Sequence, residues 1–435
     1  MSIHNLVSFG GIIILLAIAW LLSGSRRQIN WKVVAWGTGL QILFALFIFV
    51  IPAGIEIFKW INSAIVTILN SATAGTRFLF GRLALPPGTT AENGETSLGF
   101  FLAFQGLPTI VFFASLMGIL YFLKIMPMLI RAFAYIFTKL MRISGAESLC
   151  VASNIFVGVE SALTIRPHLD RMTRSELHTI LTGGMATIAS SVLVIYVLFL
   201  RETFPGIAGH LVSATILSAP AALVMSKMLL PEQEKPETLG MHIQPEYTRD
   251  NNIIEAAING AHAGVKLVVG VAALLLAFLG LLALLDLILG GIGSGINRLL
   301  GLNMVWSMKN LLGYVFYPFT LIIGIPPADA MEIARIIGER TIVTEIASYQ
   351  DLAVLIKNGI IQNPRSVVIC TYALCGFAHV ASLAIFVGGI SAIAPQRTKD
   401  LSSLGLRALL AATLACLMTA AVAGAFYTQG SIILQ

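Results

Sequence analysis

Long apolar stretches alternate with short polar segments over almost the whole chain, and each long stretch is typical of a membrane-crossing helix. A helix needs about 20 apolar residues to cross a hydrocarbon core about 30 Å thick. The stretches that meet this requirement are residues 8–24, 33–52, 104–124, 180–200, 210–228, 263–290, 366–390 and 404–426. The pattern therefore predicts an all-α polytopic membrane protein with about eight transmembrane helices.

Two further segments, residues 144–165 and 322–362, are apolar in part but interrupted by glycine and polar residues. Each follows one predicted span and precedes two more, so the order span, broken segment, span, span occurs twice. The first unit begins on one side of the membrane and the second on the other, which makes an inverted repeat. Irregular backbone at membrane depth is tolerated only inside protein or beside a watery cavity. We therefore predict two re-entrant helical hairpins, one from each face.

Three remaining segments are predicted to lie outside the hydrocarbon core. Residues 54–82 are less apolar and indicate a helix near the membrane interface. Residues 125–143 alternate basic and apolar residues at helical spacing, as an amphipathic helix on the cytoplasmic surface of the membrane does. Residues 229–252 are the one extended polar stretch, which we interpret as a loop that only connects the two halves.

The composition agrees with a membrane protein. Hydrophobic residues make up 57% of the chain and charged residues 11%, with a mean hydropathy of +0.89, whereas soluble domains are about one-quarter charged. The net charge of +6 does not indicate nucleic acid, because no basic run or aromatic patch accompanies it. Arg26, Arg27 and Lys32 follow the first span, so that loop is predicted to be cytoplasmic and both termini periplasmic. The first span is expected to be retained rather than cleaved as a signal peptide.

Polar side chains cluster in and after the broken segments. The groups are Asn154, Glu160, Ser161 and Thr164, then Thr187 and Ser191, then Thr344 and Glu345, then His379 and Ser382. The pairs Thr187/Ser191 and His379/Ser382 are predicted to share a helix face, given their spacing. An internal ion pair, a core histidine or hydroxyls bonded to helix carbonyls would account for each group alone. Because ionisable residues are costly inside a membrane, their convergence on broken segments favours a binding site.

The residue types indicate what such a site could bind. Carboxylates, hydroxyls and an amide without an Arg/Lys clamp suit a neutral, hydroxyl-rich solute, because a carboxylate accepts strong hydrogen bonds from hydroxyls. Oxygens of asparagine, serine and threonine, joined by carbonyls of unwound helix, suit a small hard cation such as Na⁺. The sequence shows no nucleophile–base pair or phosphate loop, so we expect neither an enzyme nor an organic cofactor. A transporter is the first interpretation, and a channel or receptor for a small polar ligand is the alternative.

Five motifs in order resemble the concentrative nucleoside transporters, and the resemblance covers about residues 100–426. The motifs are "GLPTIVFFASLMGILYFLKIM" (106–126), "SGAESLCVASNIFVG" (144–158), "RMTRSELHTILTGGMATIASSV" (171–192), "TYALCGFAHVAS" (371–382) and "LGLRALLAATLA" (404–415). The resemblance implies eight spans, two opposed hairpins and a homotrimer in the lipid bilayer of the bacterial inner membrane. It also implies a symporter that imports nucleosides by alternating access, driven by Na⁺ or, in some branches, by H⁺.

The same resemblance implies roles for individual residues. The substrate-binding residues would be Val159, Glu160, Val192, Glu345, Phe377, His379 and Ser382, and the Na⁺ ligands would be Asn154, Val157, Thr187 and Ser191. In this scheme Glu160 lies near the nucleobase, and Glu345 holds ribose hydroxyls together with Ser382.

The first hairpin departs from the family pattern. The family has G-Q-T-E where this chain has "GVESALTIRP", so Val159 offers neither donor nor acceptor to a base. Thr344 and His379 stand where the family has asparagine. The base preference therefore stays open, as purine or pyrimidine. Imidazole titrates near neutral pH, so H⁺ coupling is the alternative to Na⁺ coupling.

The repeat suggests a division into functional parts. Residues 1–100 would form N-terminal spans and the interfacial helix as a scaffold, 101–228 a first repeat with the ion and base site, and 229–262 a cytoplasmic connector. Residues 263–426 would form the second repeat with the ribose site, and 427–435 a C-terminal tail.

Overall fold

The computed structural model describes residues 3–91, 94–247, 250–301 and 303–428, and the regular structure of those residues is helical. The helices are α1 (Ile3–Leu21), α2 (Trp31–Phe49), α3 (Pro52–Phe80), α4 (Leu107–Phe122), α5 (Ile125–Met141), α6 (Gly145–Asn154), α7 (Arg174–Ala186), α8 (Ser190–Leu200), α9 (Ile207–Leu229), α10 (Ile253–Leu300), α11 (Met308–Ile322), α12 (Pro327–Ile342), α13 (Glu345–Lys357), α14 (Pro364–Leu374), α15 (Val380–Ile393) and α16 (Thr398–Phe426). The predicted all-α membrane fold is confirmed. Most of the predicted tail, 427–435, lies outside the described residues.

Eight helical segments of the described chain are long and apolar enough to cross a membrane. That set includes α3 and lacks α14 and α15, each of which is too short alone. The contacts of α3 show how it lies. Asn62 Oδ1 accepts from Gly209 N at 3.0 Å, and Asn70 Oδ1 accepts from Arg201 Nη1 at 3.3 Å. Since Asn62 and Asn70 are about 12 Å apart along the helix, α3 crosses the α8–α9 turn, and its predicted position near the membrane interface stays a prediction.

The spans predicted at 180–200 and 366–390 are each interrupted by a short non-helical segment. The first span ends at α7, leaves helical geometry at Thr187 (φ −121°, ψ 168°) and resumes as α8. The second ends at α14 and resumes as α15 after residues 375–379. Thr187 and Ser191 therefore do not share one helix face. Nor do His379 and Ser382, because His379 is the N-cap residue of α15.

The two halves of the fold repeat the same order of elements. A first helix (α4, α10), a second helix (α5, α11), a hairpin, a broken helix (α7–α8, α14–α15) and a final helix (α9, α16) follow each other in both. The first helices of the two halves, α4 and α10, pack against each other: a Cβ on Gly118 would lie 2.4 Å from Ala256 O, and one on Gly260 would lie 2.5 Å from Ala114 O. Small residues allow this close backbone approach, as in membrane helix pairs.

Loops from distant parts of the sequence meet on one face of the molecule. Gln233 Nε2 donates to Ser25 Oγ at 2.7 Å, and Arg397 Nη1 donates to Met172 O at 2.6 Å. Thr173 Oγ1 also donates to Glu232 Oε2 at 2.9 Å, so the loops after α1, after hairpin 1, after α9 and before α16 are neighbours, and all four were predicted to be cytoplasmic. The described chain ends also meet each other, since Asn5 Nδ2 donates to Tyr427 O at 2.7 Å. Which face is cytoplasmic stays a prediction.

Candidate functional site

Hairpin 1 comprises α6, a tip at residues 155–158 and a 3₁₀-helical arm, Val159–Arg171. A capping box begins α6: Ser144 Oγ accepts from Glu147 N at 3.5 Å, and Glu147 Oε1 accepts from Ser144 N at 3.0 Å. The S-x-x-E spacing produces this reciprocal cap. The other Glu147 oxygen, Oε2, pairs with Lys227 Nζ at 2.7 Å, with both side chains buried. The base of hairpin 1 is therefore anchored to α9.

Hairpin 2 comprises α12 and α13, which break at Val343 and Thr344. Glu345 is the first residue of α13, so its carboxylate lies at the positive end of that helix, where negative charge is favoured. Arg340, near the end of α12, is fully buried and donates from Nη1 to Ala373 O at 2.7 Å. That carbonyl belongs to the last turn of α14, where helix carbonyls lack intrahelical partners, so Arg340 caps α14.

The two helix breaks meet each other, and one hairpin tip joins them. Phe377 N, in the second break, donates to Thr187 O, in the first, at 3.3 Å. Ser190 N donates to Phe156 O of the hairpin 1 tip at 3.1 Å. A Cβ at Gly376 would lie 2.6 Å from Cys416 Sγ and 2.9 Å from Ala186 O, so only glycine allows this approach.

A cavity of about 680 Å³ lies between the two hairpins, the two breaks and helices α4 and α10. Its wall contains every residue predicted to bind substrate: Val159, Glu160, Val192, Glu345, Phe377, His379 and Ser382. The sequence-based set is thus brought together in one place by four separate elements. The wall is largely apolar, with polar groups at a few points, as is usual for small-molecule sites.

Glu345 and His379 form the polar centre of this wall. His379 Nδ1 accepts from Ser382 N at 3.2 Å, so in the neutral ring the proton is assigned to Nε2. Nε2 lies 2.8 Å from Glu345 Oε2 and 2.8 Å from Ser382 Oγ. The second carboxylate oxygen, Oε1, accepts from Tyr196 Oη at 2.7 Å. All four side chains are buried, and such charge-assisted hydrogen bonds are strong.

Glu160 occupies a different environment from Glu345. It follows the hairpin 1 tip and its side chain is exposed towards the cavity. Tyr121 of α4 lines the same cavity. Val159 packs against α15, since a Cβ on Gly389 would lie 2.7 Å from its side chain. Of the two hairpin carboxylates on the cavity wall, Glu345 is therefore tightly bonded and Glu160 is open.

The four predicted Na⁺ ligands lie between hairpin 1 and the first helix break. Asn154 and Thr187 are fully buried, and Val157 and Ser191 are on the cavity wall. Asn154 Oδ1 accepts from Ser161 Oγ at 2.9 Å, and Thr187 Oγ1 donates to Gly183 O at 2.9 Å, so each oxygen keeps a lone pair. Neutral oxygens fit a hard monovalent cation. Among the described residues no cluster of three His, Cys, Asp or Glu side chains could hold a metal.

The connector between the repeats is more than the simple loop that we predicted. Thr238 Oγ1 accepts from Ala146 N at 3.1 Å, and Glu246 N donates to Thr164 O at 2.9 Å, so the connector follows hairpin 1. Glu246 and Tyr247 also line the cavity. Little in the local sequence indicates this course, because the partners lie about 80 to 90 residues away in the chain.

Two further residues at the site were missed or left without a role. Tyr196 lies within an apolar run, and nothing in its neighbours distinguishes it from a core aromatic. Thr344 lines the cavity with 5% of its surface exposed, and its hydroxyl has no hydrogen-bond partner in the described residues. A buried hydroxyl without a partner is costly, so its position on a cavity wall points to a ligand.

The architecture defines a class of protein. Inverted repeats, two hairpins and discontinuous helices that meet around a cavity are the features of a secondary transporter. Models of transporter domains match most of the chain: "Na+ dependent nucleoside transporter N-terminus" at residues 10–83, "Nucleoside recognition" at 103–203 and "Na+ dependent nucleoside transporter C-terminus" at 210–424.

Solved structures and related proteins agree with this assignment to a class of transporter. CNTnw in an inward-facing substrate-bound state is 33% identical, with a TM-score of 0.88 over 99% of this chain and 100% of that one. The uncharacterized transporter YutK of Bacillus subtilis is 36% identical over 96% of this chain and 98% of its own length. Solute carrier family 28 member 3 of Mus musculus is 39% identical over 97% of this chain, which spans 59% of that relative's length. The chain belongs to the concentrative, Na⁺-dependent nucleoside transporter family, a family of transporters and not of enzymes.

Proposed function

We propose that this protein is a Na⁺-coupled symporter that imports nucleosides across the bacterial inner membrane by alternating access. The observation that carries the proposal is the cavity on which both hairpins and both helix breaks converge. Every residue assigned to substrate from the sequence lines it. The relatives named as sodium/nucleoside cotransporters, such as cotransporter 1 of Rattus norvegicus, support both substrate and ion.

In this proposal the sugar and the base bind at different ends of the cavity. The Glu345 carboxylate accepts hydrogen bonds from ribose hydroxyls, with Ser382 and His379 beside it. Phe377 and Val192 supply apolar contact, and Glu160 and Val159 face the base. A hydroxyl-rich solute gains most where its donors meet an ionised acceptor that is held in place.

Na⁺ binds, in this proposal, between the hairpin 1 tip and the first helix break. Asn154, Val157, Thr187 and Ser191 would provide oxygen ligands, and the ion would fix the tip against α8. Because hairpin 1 also borders the substrate cavity, an ion that orders its tip favours substrate binding. Two ligands coupled in this way tighten each other's binding reciprocally.

The cavity in this structure extends to the connector, since Glu246 and Tyr247 form part of its wall. The connector lies on the face that carries the basic loops, and the positive-inside rule places that face in the cytoplasm. This supports an inward-facing state, with both termini periplasmic. The protomer would work within a homotrimer, with residues 1–100 as scaffold and the two repeats, 101–228 and 263–426, bearing the hairpins.

H⁺ coupling is the second candidate, and the 2.8 Å contact between His379 and Glu345 favours it. In this candidate a proton carried by the His379–Glu345 pair takes the coupling role of Na⁺. The test is uptake of labelled uridine and adenosine into liposomes that contain the purified protein. Accumulation under an imposed Na⁺ gradient alone supports the proposal, whereas accumulation under an H⁺ gradient alone supports the second candidate. Accumulation of neither nucleoside would contradict both and favour a channel or receptor.

A further inference from the structure

Tyr196 connects the first repeat to the second directly behind the cavity. It lies on α8, its side chain is fully buried, and it is not part of the cavity wall. Its hydroxyl donates to Glu345 Oε1 on α13 at 2.7 Å. A ligand in the cavity therefore does not contact Tyr196, but it does meet the carboxylate that Tyr196 holds.

The Tyr196 ring is itself fixed from the other side. It stacks on Tyr349 of α13, with ring centroids 4.3 Å apart and planes at 22°. The Tyr349 hydroxyl donates to Thr371 O of α14 at 2.8 Å. Stacked aromatic pairs of this kind add stability beyond the area that they bury. The hydroxyl of Tyr196 thus has a defined position before any ligand binds.

Two donors, one on each oxygen, determine how the Glu345 carboxylate is oriented. Tyr196 binds Oε1, and His379 Nε2 lies 2.8 Å from Oε2. A carboxylate has about four acceptor positions, so two donors leave acceptor capacity for the ligand. Next to it, the Thr344 hydroxyl has no partner in the described residues and lies on the cavity wall. The site therefore presents oriented acceptors of the kind that a vicinal diol requires.

We propose that Tyr196 is a positioning residue for sugar recognition: it holds the Glu345 carboxylate in the orientation that discriminates ribose from deoxyribose. This inference rests on the proposed function, because it takes Glu345 as the acceptor of ribose hydroxyls. Without the Tyr196 hydroxyl, Oε1 loses a charge-assisted hydrogen bond and only His379, at Oε2, still orients the carboxylate. Part of the binding free energy is then used to orient the carboxylate, whereas in the wild-type protein the carboxylate is already oriented before the ligand binds.

The test compares equilibrium binding of uridine, 2′-deoxyuridine and 3′-deoxyuridine to the purified full-length protein. Tyr196→Phe keeps the ring and its stacking but removes the hydroxyl. We expect the Kd for uridine to rise roughly tenfold or more, as for a lost bond to a charged group. The Kd of the deoxy analogue that lacks the hydroxyl bound by Glu345 should change little. The discrimination ratio, which is the Kd of that analogue divided by the Kd of uridine, therefore falls.

Tyr372→Phe is the matched control, because Tyr372 is also a fully buried tyrosine with a hydrogen-bonded hydroxyl, 3.3 Å from His210 Nδ1, and lies outside the cavity wall. It should leave the discrimination ratio at the wild-type value. Equal weakening of all three ligands by Tyr196→Phe would overturn the inference, since a general loss of packing affects them alike.

A double variant separates failure of the inference from failure of the proposed function. Glu345→Gln alone should abolish the preference for uridine, and a wild-type preference in that variant would refute the sugar role of Glu345 itself. Adding Tyr196→Phe to Glu345→Gln should change the ratio no further, because the two residues act through one contact. Additive effects on the ratio would leave the role of Glu345 intact and refute the positioning role of Tyr196.

Discussion

The buried ion pair at the base of hairpin 1 should be essential to the stability of the fold. Lys227 Nζ lies 2.7 Å from Glu147 Oε2, and their side chains are 6% and 1% exposed. Nζ also lies 3.0 Å from Ser175 Oγ and 3.4 Å from Glu232 Oε2. One lysine therefore joins α6, the first turn of α7, and the connector. The substitution Lys227→Met keeps most of the apolar length of the side chain and removes its charge.

The size of the expected loss in unfolding free energy follows from the state of Glu147 after the substitution. Glu147 Oε1 stays bonded to Ser144 N, but Oε2 becomes a buried charge without a cation. Removing one partner of a buried pair typically costs about 3–5 kcal/mol. We expect the free energy of unfolding of Lys227→Met to fall by about that amount. Adding Glu147→Gln should restore much of the loss, because it removes the unpaired charge and retains the capping oxygen.

The assay is unfolding of the purified protein in mixed micelles, followed by far-UV circular dichroism or tryptophan fluorescence as denaturing detergent is added. Lys59→Met is the control, because Lys59 pairs with Glu56 at 3.1 Å but the two side chains are 40% and 71% exposed. Exposed pairs contribute at most about 1 kcal/mol. If Lys227→Met cost no more than Lys59→Met, the reasoning about the buried pair would be refuted.

Two more predictions concern the cavity and the helix breaks. His379→Ala loses both the contact with Glu345 and the N-cap of α15, so the KM for uridine uptake should rise about tenfold or more. His379→Asn keeps a capping oxygen, so its KM should rise less. Equal KM values for the wild-type protein and both variants would contradict this. Gly376→Ala places a methyl group 2.6 Å from Cys416 Sγ and should lower the free energy of unfolding by about 1–3 kcal/mol. The control Gly290→Ala has no atom within 4 Å of the new methyl group, and an equal loss there would argue against a close approach at Gly376.

The hairpins could be predicted from the sequence because their composition differs sharply from that of the spans. Glycine and polar residues interrupt apolar runs at matching places in two halves, and a backbone interrupted in this way is stable at membrane depth only inside protein or beside a cavity. The amphipathic segment at 125–143 was likewise recognisable by its period, and α5 occupies Ile125–Met141. Local patterns of this kind need no knowledge of distant partners.

The breaks within α7–α8 and α14–α15 were not predictable in the same way. Thr187 and Gly376 lie in otherwise apolar runs, and hydropathy averaged over a span does not register a gap as short as residues 187–189 or 375–379. Each break is stabilised by the other, through Phe377 N and Thr187 O. These contacts form only when the two repeats come together, so the break is a tertiary property.

The roles of Tyr196 and Lys227 could not be predicted from the sequence for a similar reason. Tyr196 and Lys227 have partners that lie 149 and 80 positions away, in Glu345 and Glu147 respectively (345 − 196 and 227 − 147). From the sequence, a tyrosine in an apolar run indicates packing, and a lysine near the end of a span indicates snorkelling. The residues on the cavity wall were found more easily because polar groups at membrane depth are rare.

Coupling between Na⁺ and nucleoside is the central claim, and it can be measured directly as the Kd for uridine at increasing Na⁺ concentration. Calorimetry on the purified protein should show tighter uridine binding as Na⁺ replaces choline at constant ionic strength. In Asn154→Ala the Kd for uridine should no longer depend on Na⁺, because the ion site has lost a ligand while the cavity wall is unchanged. A Kd that is independent of Na⁺ in the wild-type protein, or an unchanged Na⁺ dependence in Asn154→Ala, would contradict the account.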